Sequence, residues 1–261
     1  MSKPAPPAYV PAHDLLRDKT VLITAAAGAG IGFATAKRCA EEGARLFVSD
    51  IHEKRLDEAA KELETISQHP VGRRICNVRE DEDVRALVAT AIEEMGQIDV
   101  VINNAGLGGE VPVVDMTDDQ WTSVLDITLN SVFRMTRAVL PHMIEQKGGV
   151  IVNNASVLGW RAQVGQAHYA AAKAGVMAFT RCSALEAAPH GIRINAVSPS
   201  IAIHPFLKKT TPEALLAKLE SEEAFGRGAE CWEVANVMVF LASDYASYMT
   251  GEVVSVSSQR A

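Results

Sequence analysis

The 261-residue chain has no basic excess: 25 lysines and arginines face 32 aspartates and glutamates, a formal net charge of −7. Nothing in that balance neutralises a phosphate backbone, so nucleic acid is not expected as a partner. Cysteine is scarce. Cys39, Cys76, Cys182 and Cys231 lack C-x-x-C spacing, which excludes a disulfide frame or zinc site and leaves buried thiols of a reducing compartment. The seven histidines form neither H-x-x-x-H nor H-E-x-x-H, so no metal is expected. No apolar run is long enough to span a bilayer. The opening MSKPAPPAYVPAHD has no apolar h-region of a secretory signal. A cytoplasmic protein without membrane contact is the expectation. Repeats, low-complexity tracts and internal linkers are missing too. That leaves a flexible Pro-rich arm at 1–17 and one domain at 18–261.

What is present alternates. Apolar strand candidates occupy Lys19–Ala25, Ala44–Asp50, Val71–Cys76, Ile98–Asn103, Gly149–Ala155, Arg193–Ser198 and Glu252–Ser255. Between them, Ile31–Glu42, Lys54–Ser67 and Glu82–Met95 carry apolar residues at helical spacing. Thr117 and Gln120 form a capping-box pattern that opens another helix. Strands separated by helices predict an α/β fold with a parallel sheet of about seven strands and helices on both faces. The segment at about 200–229 breaks the alternation. It is longer than a normal connection and has its own helical pattern from Pro212 to about Leu219, as expected of a lid over a binding site.

The turn TAAAGAGIG, residues 24–32, joins the first strand to the first helix. Gly28, Gly30 and Gly32 leave room for phosphate oxygens, and the helix beyond offers free N–H groups. Asp50 ends the second strand about 20 residues on, where a carboxylate binds the adenosine ribose hydroxyls. It repels the extra phosphate of NADP, and Ile51 and His52 bring no arginine to welcome it. NAD is therefore favoured over NADP.

Residues 169–173 read YAAAK. Positions i and i+4 share a helix face, so Tyr169 and Lys173 point the same way. A neighbouring ammonium is expected to lower the phenol from its ordinary value of about 10 and make it an acid/base for an alcohol or carbonyl. Ser156 ends the strand GVIVNNAS on the same sheet edge and is placed to hold the substrate oxygen. His168 adjoins Tyr169 but points about 100° away on a helix, so a packing role is expected.

These residues, with NNAG at Asn103–Gly106 and NAVSP at Asn195–Pro199, resemble the short-chain dehydrogenase/reductase family over nearly the whole chain after the arm. The resemblance implies a single-domain, Rossmann-like doubly wound sheet. It implies that Ser156, Tyr169 and Lys173 are catalytic and that Lys173 also binds the nicotinamide ribose. Thr24, Ala25, Ile31 and the glycines of the turn are implied at the dinucleotide, with Asp50 and Ile51 at the adenosine end. Asn77 stands where the family often has an aspartate touching adenine, followed by Val78. Asn104, Ala105 and Gly106 are implied on the adenosine side, and Pro199, Ser200, Ile201 and His204 near the nicotinamide. The chain departs from the family at the turn, which is one residue longer. It also has Thr128, a possible proton-relay hydroxyl, in place of a catalytic asparagine.

The expected function is hydride transfer between a nicotinamide cofactor and a secondary alcohol or ketone. The turn, Thr128 and NNASVLGWRAQ resemble a subgroup of actinobacterial steroid-catabolism enzymes that act on a hydroxylated methyl-oxo-indane carboxyl-CoA. Trp160, Gln163 and Phe206 are substrate candidates, and Lys208 and Lys209 are cations for the CoA phosphates. Relatives imply a homotetramer or homodimer. The alternative is a catalytically impaired NAD-binding regulator or scaffold, motivated by Thr128 and the altered turn.

Overall fold

A computed structural model describes residues 4–67 and 69–258, with the backbone alone at Phe206 and Thr210. The chain runs β1 (Thr20–Ile23), α1 (Ile31–Glu41), β2 (Arg45–Asp50), α2 (Glu53–Ser67), β3 (Gly72–Ile75), α3 (Asp81–Met95) and β4 (Val100–Asn103). It continues through α4 (Asp118–Leu125), α5 (Ser131–Glu145), β5 (Gly149–Asn154), α6 (Ala167–Ala187) and β6 (Ile192–Pro199). Then follow β7 (Ala202–Ile203), α7 (Pro205–Thr210), α8 (Glu213–Glu222), β8 (Ala229–Glu230), α9 (Cys231–Ala242) and β9 (Val253–Val256). Seven strands form one parallel sheet, as expected, and their order is β3-β2-β1-β4-β5-β6-β9; β7 pairs with β8 apart from it.

Side-chain alternation along each strand divides the core into two layers. Val21 and Ile23 pack with Leu56 of α2 and with Val234 and Met238 of α9. Leu22, between them, packs on the other face with Leu87 of α3 and Met135 of α5. Because helices cover both faces, the central strands are continuous apolar runs such as TVLI, while the edge strand β3, GRRI, is largely exposed. The chain leaves β1 toward β2 and returns to β4 on the other side. The two crossovers therefore diverge at the carboxyl ends of β1 and β4 and open a crevice there.

The Thr117 capping box forms as expected: Gln120 N donates to Thr117 Oγ1 at 3.2 Å, and Thr117 N donates to Gln120 Oε1 at 2.9 Å. Between α4 and α5 the chain makes a π turn over Asp126–Asn130, which buries Thr128 completely. The expected lid helix is α8, and a second short helix, α7, precedes it. Among the described residues no helix is long and apolar enough to cross a membrane. All four cysteines are free, but Cys182 is exposed on α6, a correction to the reading of four buried thiols.

The Pro-rich segment is tied down from Tyr9 onward instead of hanging free. Arg38 donates to Val10 O at 2.5 Å and Pro11 O at 3.1 Å. Glu42 Oε2 accepts from His13 N and Leu15 N, both at 2.9 Å. Arg38 and Glu42 also bond each other and are 3% and 0% exposed. Tyr9 packs edge-on against Trp232 and donates to Glu41 at 2.6 Å. Glu42→Ala leaves Arg38 buried without its carboxylate and frees two arm N–H groups. Chemical denaturation should show a loss of about 3–5 kcal/mol. Glu41→Ala removes a more exposed contact and should cost less than about 1 kcal/mol; equal losses would refute the distinction.

Candidate active site

A cleft of about 750 Å³ lies beyond the carboxyl ends of the strands. The glycine-rich turn, the loop after β4, the end of β5, one face of α6 and the lid helices all contribute to it.

The turn owes its shape to a bracket from β4. Asn104 Nδ2 donates to Thr24 O at 3.3 Å and Ala25 O at 3.0 Å, while Thr24 Oγ1 accepts from Asn104 N at 3.1 Å. The backbone then turns through left-handed values at Ala25 (φ 51°) and Gly28 (φ 101°). A Cβ at Gly32 would collide with Ala25 O and Asn104 Nδ2, so only glycine admits this approach of α1 to the turn. Gly30 sits at the N-cap of α1 without a side-chain cap, which leaves the first helical N–H groups facing the cleft region. The small residues and free donors fit a dinucleotide phosphate.

Asp50, at the end of β2, is nearly buried. Its carboxylate accepts from Ala27 N at 3.3 Å and His52 N at 3.0 Å, which joins the second strand to the turn. Burial raises its pKa against these bonds and the attraction of Arg55. Arg55 Nη2 lies 3.8 Å from Asp50 Oδ1. A reading that ends at His52 misses this arginine, because the first turn of α2 carries it back to the strand end.

Tyr169 and Lys173 project from α6 on one face, with the ammonium 5.5 Å from the phenol ring centre. Burial raises the Tyr169 pKa, opposed by its hydrogen bond with Ser156. Burial also pushes Lys173 down to about 7. Burial thus opposes the acidified phenol expected from the sequence: near neutral pH the desolvated lysine carries only part of its charge. Lys173 Nζ donates to Asn154 O at 2.5 Å. Ser156 Oγ accepts from Leu158 N at 3.3 Å, so the serine proton is available to an oxygen beside Tyr169. Thr128 Oγ1 accepts from Leu107 N at 2.9 Å and donates to Leu107 O at 3.1 Å. In this arrangement the threonine clamps the loop after β4, its proton committed to Leu107. A Cβ at Gly106 would lie 3.5 Å from Lys173 Nζ and 3.9 Å from Thr128 Oγ1, so the three meet at one corner.

Among the sequence candidates, Ala25, Gly30, Ile31, Gly32, Asn104 and Gly106 line the cleft. Ser156, Tyr169, Lys173 and Gln163 do so as well, with Pro199, Ser200, Ile201 and His204 opposite. Thr24, Gly28, Asp50 and Ala105 stand behind or beside that lining, and Ile51 is exposed next to Asp50. Asn77, which accepts from Arg79 N at 3.2 Å, and Val78 do not line it. Trp160 is half exposed outside the lining, and Lys208 and Lys209 face outward on α7. The Phe206 side chain lies outside the described residues. His168 is buried, as its packing role requires. Arg161, which follows Ser156 with Trp160 and Gln163, lines the cleft as that loop position suggests, and Leu158, Leu207, Leu215 and Leu219 line it without having been singled out. The four-residue spacing of Leu215 and Leu219 was the one signal available for them.

A family profile described as Enoyl-(Acyl carrier protein) reductase matches residues 25–258. The chain is 59% identical over 254 residues, 97% of each chain, to the (5R,7aS)-5-hydroxy-7a-methyl-1-oxo-2,3,5,6,7,7a-hexahydro-1H-indene-carboxyl-CoA reductase of Mycobacterium tuberculosis. It is 39% identical to a 3-oxoacyl-(acyl-carrier-protein) reductase of Thermotoga maritima, over 92% of this chain and 97% of that one. Among solved structures, a short chain dehydrogenase from Mycobacterium smegmatis superposes with a TM-score of 0.87 at 56% identity, covering 98% of both chains. An NAD+-bound xylitol dehydrogenase superposes with a TM-score of 0.87 at 31% identity, over 93% of this chain and 99% of that one. Matches of this extent show the family: the chain belongs to the short-chain dehydrogenases/reductases, oxidoreductases that use a nicotinamide cofactor.

Proposed function

We propose that the protein is an NAD-dependent enzyme that interconverts a ketone and a secondary alcohol on a hydroxylated methyl-oxo-indane carboxyl-CoA thioester. The observation that carries this reading is the meeting of Ser156, Tyr169 and Lys173 in one cleft of a chain 59% identical to a reductase named for such a thioester. A nicotinamide nucleotide, when bound, supplies or accepts the hydride. The chain handles the proton. In reduction Tyr169 Oη gives its proton to the carbonyl oxygen, and Ser156 donates a hydrogen bond to the same oxygen. In oxidation the phenolate takes the hydroxyl proton back. Lys173, poised near 7 by burial, gains or loses a proton close to neutral pH and keeps the tyrosine in step.

Burial keeps the phenol protonated at neutral pH, which suits reduction; deprotonation at higher pH suits oxidation. Initial rates should therefore show reduction falling and oxidation rising as pH increases. Tyr169→Phe should retain NADH binding in a fluorescence titration and lose about 10²–10⁴-fold in turnover. Native turnover in that variant would end the proposal.

Asp50 supports NAD: its buried carboxylate stands where a 2′-phosphate would bring more negative charge. Arg55 is held against it. In Asp50→Ser the guanidinium is released to meet a phosphate. The KM for NAD should rise about tenfold while that for NADP falls; an unchanged preference would count against Asp50 as the selector.

A CoA tail is too long for the cleft to enclose, so the exposed Lys208 and Lys209 on α7 are proposed to meet its phosphates. Replacing both with alanine should raise the KM for the thioester roughly fivefold, in line with two weak surface ion contacts, and spare the free acid. Equal effects on the two substrates would remove the lysines from recognition. The reading includes a cytoplasmic homotetramer or homodimer, supported by exposed apolar side chains on α5 and α6, Phe133 and Leu185, and by Tyr245 and Tyr248 near the chain's end.

A further inference from the structure

Asn154, the last residue of β5, stands between two parts of the site. Its Nδ2 donates to Asn104 Oδ1 at 3.0 Å. Asn104 is the residue that brackets the glycine-rich turn through Thr24 O and Ala25 O. On the other side, the Asn154 main-chain oxygen receives Lys173 Nζ at 2.5 Å. One residue thus joins the floor of the turn to the amine beside Tyr169 through an unbroken run of hydrogen bonds.

The sheet itself does not ask for an amide here. Ile151 and Val152 earlier in the strand are apolar and fill the two core layers. Asn154 Oδ1 is buried and has no partner among the described residues. A half-satisfied buried amide is costly to folding. Residues that break the local pattern in this way gather where function requires them. The Asn104 amide cannot rotate to relieve the cost. Its NH₂ group is committed to two carbonyls, so its oxygen faces Asn154 and requires a donor there. Asn154 supplies that donor.

We propose that Asn154 is a positioning residue: fixed by Asn104, it sets where its carbonyl meets Lys173, and so holds the nucleotide turn and the lysine in one register. The proposal rests on the reading of Tyr169 and Lys173 as the proton-handling pair and is independent of the substrate. Two variants separate the parts. Asn154→Asp keeps the volume and removes the donor, setting a carboxylate against Asn104 Oδ1. Asn154→Leu removes the amide altogether.

The assay follows NAD-dependent oxidation of a cyclic secondary alcohol by reduced-nicotinamide absorbance. Turnover should fall roughly tenfold or more in both variants, the scale of a catalytic group displaced by a fraction of an ångström. In Asn154→Leu the dissociation constant for NADH, from fluorescence titration, should stay within about twofold and the melting temperature should hold within about 2 °C, because one orphaned acceptor is exchanged for another, whereas Asn154→Asp, which sets two acceptors against each other, should lose more on both. Native turnover in both variants would overturn the proposal. So would a joint collapse of turnover, NADH binding and melting temperature in Asn154→Leu, or failure of both to fold, since each assigns Asn154 to the scaffold alone. Tyr169→Phe keeps the two readings apart. If it retains native turnover, the proton-handling reading fails whatever the Asn154 variants do. If it is inactive while they are native, only the role given to Asn154 is lost.

Discussion

The side-chain amide of Asn104 holds together two strand ends that the topology drives apart. β1 and β4 are neighbours whose crossovers leave in opposite directions, and a cleft opens between them. Without a bracket, the nine residues of the turn would have many ways to cross that gap. Asn104 fixes two consecutive carbonyls of the turn, and Thr24 Oγ1 returns a bond to the Asn104 backbone. The left-handed conformation at Ala25 and the absence of any side chain at Gly32 follow from that closeness. The departure from the usual glycine spacing is therefore tolerable. What the turn needs is a small residue where Asn104 and α1 converge, and Gly32 is there.

Desolvation, more than charge pairing, governs the ionisable groups of the cleft. Lys173, Tyr169 and Asp50 are each shifted toward their neutral forms, and burial is the largest cause each time. An i, i+4 Tyr–Lys pair read from sequence invites the picture of a fixed positive charge acidifying a phenol. The same helix face that brings the two together also takes both from water. The lysine is then itself a titrating group near neutral pH, and the tyrosine is held toward its protonated form. A pair balanced in this way can pass a proton in either direction, which suits a reversible carbonyl reaction.

The centre of the sheet was legible because buried parallel strands appear as short continuous apolar runs, whereas the exposed edge strand Gly72–Ile75, GRRI, shows only the apolar residues that flank it, Val71 and Cys76. Ser156, Tyr169 and Lys173 were legible because helix periodicity and a strand end bring them to one edge. Other features depend on packing that leaves no periodic trace. Arg55 reaches Asp50 only because α2 begins at once after β2. The arm is held by Arg38 on α1 and Glu42 just after it, which look from sequence like an ordinary surface pair. The π turn at Asp126–Asn130 alters which residues face inward and puts Thr128 against Leu107. Asn154 is a single amide at a strand end, and only its partners reveal it. Lys208 and Lys209 lie on α7, and the outward face they occupy is set by how that helix docks.

That docking explains how the cleft combines a polar floor with an apolar roof. The lid is clasped at both ends: β7 pairs with β8 at its base, and Ala229 N donates to Ile201 O at 2.8 Å. At the far end of α8, Ala224 N donates to Ser258 O at 2.9 Å, and Ser258 Oγ donates to Glu223 Oε2 at 2.9 Å. Between the clasps, Leu207, Leu215 and Leu219 face the cavity opposite the strand ends that carry Ser156 and Asn104. Apolar burial is non-directional, whereas hydrogen bonds fix the positions of the groups they join. The strand ends and α6 therefore give the cleft its directional side, and α7 and α8 give it a side that constrains shape without constraining orientation.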